Sequence, residues 1–104
     1  MAEDVNLEEL LASAEEASNF LKAIANPHRL VVLCLLAEKE MNVSQLEEKL
    51  KMRQPALSQQ LARLREEGFV DTRRSGKSVY YRLASKQALD LIQHLHQLFC
   101  TIPA

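Results

Sequence analysis

Residues 42–83, NVSQLEEKLKMRQPALSQQLARLREEGFVDTRRSGKSVYYRL, decide the fold. Asn42-Val43 leads into Ser44 with Glu47 three residues on, a capping-box spacing that predicts a helix over about 44–50. Lys51-Met52-Arg53-Gln54 reads as a turn. Pro55 opens a second helix over about 55–67, and Gly68 is its natural terminator. Beyond it, 69–73 and 78–83 alternate apolar and polar around Ser75-Gly76-Lys77, which predicts a hairpin spanning about 69–83. Helix, turn, helix and ribbon, in that order, place one helix in the major groove and a wing beside it. Duplex DNA is therefore the leading partner.

On the second of these helices Leu57, Leu61 and Leu64 share one face and must pack inward. Opposite them lie Pro55, Ala56, Gln59, Ala62 and Arg63, with Ser58 at the margin. Small side chains let a backbone approach the groove. Gln pairs with adenine and Arg with guanine, each worth ~1–3 kcal/mol of discrimination. Ser58 and Arg53 suit phosphates, which set register without reading sequence. The candidate DNA contacts are Arg53, Gln54, Ala56, Ser58, Gln59, Gln60 and Arg63, joined by Arg73, Arg74 and Lys77 of the wing. The bland reading is a solvated helix beside a surface ribbon. It leaves three cations crowded at a hairpin tip with no polyanion to relieve them.

The charge balance agrees once it is divided. Net charge is −1, but residues 1–25 carry six acids and one base while residues 51–82 carry eight bases and three acids. Phosphates feel the local field, because charges beyond ~10 Å are screened at physiological salt. The basic half faces DNA.

Working outward, a first helix is expected over about 7–25. Leu7, Leu10, Leu11, Ala14, Ala17 and Leu21 lie on one stripe, with acids opposite. Asn26-Pro27 stops it and starts a second over about 27–38, apolar nearly all round and so the central post of the core. Ser85 caps a last helix over about 85–99, whose apolar arc is wider than one subunit's core can cover. A homodimer is the economical answer. With 47% apolar residues, two Gly and three Pro in 104, the fold class is mainly α with a small β-hairpin, one winged helix-turn-helix domain. No apolar run approaches the ~20 residues that span a bilayer. The acidic N-terminus lacks the order of a signal peptide, so a cytoplasmic home without membrane contact is expected.

Leu21-Lys22-Ala23-Ile24-Ala25-Asn26-Pro27-His28-Arg29-Leu30, the run Pro55 to Val70 and Tyr80-Tyr81-Arg82-Leu83 together resemble the ArsR/SmtB family of winged-helix repressors over nearly the full chain. Gln60 stands where many members have His. The resemblance implies a homodimer through the first and last helices, bound to an imperfect palindrome and released by an inducer.

Family metal sites use Cys-x-Cys in the third helix, where this chain has Asn42-Val43-Ser44-Gln45-Leu46. The other family site lies on the last helix, which here offers Asp90, His94 and His96. The two histidines point about 200° apart at 100° per residue, so no metal or other cofactor is expected. Cys34 and Cys100 remain. The pair resembles that of the persulfide-responsive SqrR/BigR-type subgroup, which implies a di- or polysulfide bridge that weakens DNA binding. Ordinarily Cys34, on an apolar helix, is an inert core thiol. Cys100 follows His96 by one turn, and a neighbouring imidazolium favours the thiolate. The alternatives are the same frame sensing peroxide, disulfide stress or a metal ion, and more distantly a thiol enzyme. Against an enzyme, the chain lacks Cys-x-x-Cys, a glycine-rich phosphate loop and strand–helix alternation.

Overall fold

The structure, a computed structural model, describes residues 6–99. Its elements are α1 (Leu7–Ile24), α2 (Pro27–Glu38), β1 (Met41–Asn42), α3 (Val43–Leu50), α4 (Gln54–Glu66), β2 (Val70–Ser75), β3 (Ser78–Leu83) and α5 (Lys86–Phe99). Five helices accompany a three-stranded antiparallel sheet of order β1-β3-β2. This is the winged-helix arrangement that the sequence predicts.

Local chemistry sets the boundaries. Asn6 caps α1 through the Glu9 amide, and Asn26 caps α2 by accepting from His28 and Arg29, with Pro27 at its first position. The capping box of α3 is not Ser44 with Glu47 but Asn42 with Gln45. Asn42 Oδ1 accepts from Gln45 N at 2.8 Å, and Gln45 Oε1 accepts from Asn42 N at 2.9 Å. The helix therefore starts at Val43, because Asn42 is held extended by its strand pairing to Tyr80. Lys51 ends α3 in the left-handed region at φ 54°. Gly68 does the same after α4 at φ 81°, with Gly68 N donating to Arg65 O and Phe69 N to Leu64 O. That double closure satisfies the last carbonyls of α4 and drives Phe69 into the core, where its ring packs 4.7 Å from Phe20.

The core joins Leu33 and Leu36 of α2, Leu46 of α3, Leu57, Leu61 and Leu64 of α4, Val70 of β2, and Ala88 and Ile92 of α5. It sits beneath α4 and fixes that helix's outer face. As the central post, α2 buries Val32, Leu33 and Leu36, but Val31 is 45% exposed, so one side of it stays uncovered. Among the described residues no single helix is long and apolar enough to cross a membrane.

Candidate nucleic-acid interface

Leucines at positions 57, 61 and 64 clamp α4 to the core, so helical geometry alone turns its other face outward. Gln54, Pro55, Ala56, Ser58, Gln59, Ala62 and Arg63 are all exposed, as is Arg53 in the preceding turn. Gln60 departs from this set. It is half-buried, and its Oε1 accepts from Arg29 Nη1 at 3.1 Å. Arg63 leans on Glu67 one turn later at 3.5 Å, a loose surface pair that leaves its guanidinium about half exposed.

The wing is a hairpin closed by Gly76-Lys77, in register from Val70↔Leu83 to Ser75↔Ser78. Tyr81 and Leu83 pack on the core from one face. On that same side Tyr81 borders Ser58, Ala62 and Arg65, so a cleft separates wing from reading helix. On the opposite face the charges pair off. Arg82 Nε donates to Asp71 at 2.6 Å, and Arg73 Nε donates to Glu40 Oε1 at 2.6 Å. The Arg73 guanidinium also lies 4.9 Å above the Tyr80 ring. Arg73 thus reaches from β2 across β3 to the segment that enters β1.

This corrects the expectation of three unrelieved cations at the tip, because Glu40 already neutralises Arg73. That hydrogen bond holds the Glu40 carboxyl below its ordinary value. Among the described residues no acid pairs with Arg53, Arg74 or Lys77, which keep their charge for an external anion. Sequence reading missed β1 and the Glu40–Arg73 and Arg29–Gln60 contacts. The two partners in these contacts are 33 and 31 residues apart, so no local pattern announces them.

Cys34 is half-buried on α2 and faces α5, bordering a cleft with Ile92, Gln93, His96 and Gln97. His96 itself is exposed. Cys100 lies outside the described residues. No group of three or more His, Cys, Asp or Glu among the described residues is arranged to hold a metal ion.

The chain matches the bacterial regulatory protein model of the arsR family over residues 26–72. It is 52% identical to the biofilm growth-associated repressor of Agrobacterium fabrum, over 84% of this chain and 74% of that one. Among solved structures it superposes on the transcriptional repressor BigR from Xylella fastidiosa with a TM-score of 0.86 and 40% identity, covering 95% of this chain and 100% of that one. Reduced HlyU from Vibrio cholerae fits equally, with a TM-score of 0.86 and 40% identity over 90% and 99% of the two chains. These relatives are DNA-binding regulators and not enzymes. With the exposed face of α4 beside a basic wing, the likeness over nearly the whole length settles the matter: this chain belongs to the arsR family of winged-helix DNA-binding transcriptional regulators.

Proposed function

We propose that the protein is a cytoplasmic homodimeric repressor that grips an imperfect palindrome and releases it when reactive sulfur bridges Cys34 and Cys100. One observation carries the DNA half: α4 presents a small, polar, exposed face, and across the cleft bordered by Ser58, Ala62, Arg65 and Tyr81 stands the wing, whose Arg74 and Lys77 have no acidic partner among the described residues. Gln59 and Arg63 read base edges. Arg53, Gln54 and Ser58 set register on phosphates, and Arg74 and Lys77 add counterion-releasing contacts. Repression is supported by the names of the Agrobacterium and Xylella relatives.

Dimerisation is supported by what the subunit leaves uncovered. Leu7, Leu10, Leu11 and Leu21 of α1 are 51–67% exposed, and Leu98 and Phe99 of α5 are 65% and 78% exposed. Apolar stripes of that extent on two helices are interface material. A two-fold axis through them sets two copies of α4 at a spacing of about one DNA turn (~34 Å).

The sulfur half is supported by Cys34 facing α5, the helix that precedes Cys100 in the sequence, and by a relative solved in its reduced form. Cys100 thiolate attacks the outer sulfur of a persulfide RSSH, expelling RSH and gaining one sulfur. Cys34 thiolate then attacks the Cys100 sulfur and expels hydrosulfide, leaving a disulfide. The balance is one persulfide and two thiols giving RSH, hydrogen sulfide and the bridge; each further bridge sulfur consumes another persulfide. Tethering α2 to α5 alters the dimer seam, and a hundredfold loss of affinity needs only ~2.7 kcal/mol.

Gel-shift titration of the parent with Cys34→Ser and Cys100→Ser, before and after persulfide, tests this reading. All three bind when reduced and only the parent lets go. A serine variant that still releases the duplex refutes the bridge. A second reading, activation, is favoured by the name of a Vibrio cholerae relative, the transcriptional activator HlyU. A reporter that falls on deletion of the gene decides for it.

A further inference from the structure

We propose that Arg29 and Gln60 form a clasp that fixes the pitch of α4 against α1 and α2, making Gln60 a positioning residue and not a reader of bases. The clasp begins with a deficiency in the backbone. The carbonyl of Ala23, in the last turn of α1, would normally accept from the residue four positions on. That residue is Pro27, which has no N–H. Ala23 is 1% exposed, so water has little access to the vacancy. Arg29 Nε fills it at 2.5 Å.

The same guanidinium is a planar fork, so fixing one prong aims the others. Its Nη1 donates to Gln60 Oε1 at 3.1 Å. The Arg29 backbone is itself pinned, its N–H donating to the Asn26 side chain at 3.1 Å. One side chain therefore ties the end of α1, the start of α2 and the middle of α4. Gln60 sits between exposed Gln59 and buried Leu61, at the edge where the outer face meets the core. Its carbonyl oxygen is engaged by Arg29, which turns the amide toward α2 and leaves only a second lone pair for the bidentate contact to adenine. What the clasp controls is the rotation of α4, and with it where Gln59 and Arg63 arrive in the groove.

The proposal rests on α4 being the reading helix. The test measures the ratio of affinities for an operator, selected by the parent from a random duplex pool, and for a scrambled duplex, together with the thermal midpoint. Gln60→Ala and Arg29→Ala should each lower that ratio about tenfold, and the double variant no further than either alone. Gln60→Glu should keep the ratio within about twofold, since a carboxylate takes the same Arg29 hydrogen. Arg29→Lys guards against a folding failure, because it keeps a donor for Ala23 and loses the second prong. It should hold the thermal midpoint and still lose the ratio.

A Gln60→Glu ratio as low as that of Gln60→Ala marks Gln60 as a base reader and overturns the clasp. So does Arg29→Lys with the parent's ratio. Gln59→Ala with the parent's ratio instead sinks α4 as the reader, and the clasp's purpose with it.

Discussion

The reading helix α4 and the first helix α1 both carry leucines at helical spacing, yet Leu57, Leu61 and Leu64 are at most 1% exposed while Leu7, Leu10, Leu11 and Leu21 are 51–67% exposed. The same residue type in the same pattern meets opposite environments. Helix α4 lies across α2, α3 and the root of the wing, so its stripe is sealed within the subunit. Among the described residues, helix α1 packs on the core through its C-terminal end, at Phe20, Ala23 and Ile24. An amphipathic stripe announces that something will cover it. Whether the cover is the chain itself or a second copy depends on how far the chain folds back.

The largest loss of stability is expected in α4. Leu61→Ala should cost about 2–5 kcal/mol, read as a lowered urea midpoint with an unchanged slope. An effect below about 1 kcal/mol would show that the α4 stripe is no more sealed than that of α1. Acidic substitutions on α1 come next. The double variant Leu10→Glu, Leu11→Glu should keep the subunit's helical signal, halve the mass seen by light scattering and weaken operator binding about a hundredfold, ~2.7 kcal/mol. A dimer of parental mass places the interface elsewhere.

The wing sharpens the contrast on a smaller scale. Lys77→Ala and Arg74→Ala should each flatten the dependence of log affinity on log salt by about one, whereas Arg73→Ala should flatten it by clearly less, since Glu40 already neutralises that guanidinium. Equal effects at Arg73 and Lys77 would mean that DNA displaces Glu40. The smallest effect is on pH. Glu40 has a lowered pKa, so its pairing supports the wing above the ordinary carboxylate value of 4.5 and is lost as pH falls below that through the lowered folded value. The protection factors of the β2 and β3 amides, corrected for the intrinsic pH dependence of exchange, should therefore fall in the parent as the pH drops below 4.5. A Glu40→Gln variant showing the same acid step removes the strap as its cause.

The reading head was legible because its signals are local. Pro55, Gly68 and the 57/61/64 spacing act within one or two turns, and the hairpin alternates residue by residue. The start of α3 was misplaced by one residue because two capping boxes overlap, Asn42 with Gln45 and Ser44 with Glu47. Pairing of Asn42 with Tyr80 selects the first. Strand β1 is two residues long, too short for any alternation to register, and exists only because β3 offers an edge. Gln60 looked like its neighbour Gln59; only the arrival of Arg29 from another helix separates them.

By itself the sequence determined the helices, the wing, the outward face of α4 and the basic charge of that half, since propensity, capping and periodicity act between near neighbours. The tertiary structure alone decided which cations remain available, which glutamine faces inward and which leucine stripe is left bare. Those outcomes depend on contacts between residues some thirty positions apart, formed only once the core has brought the helices together.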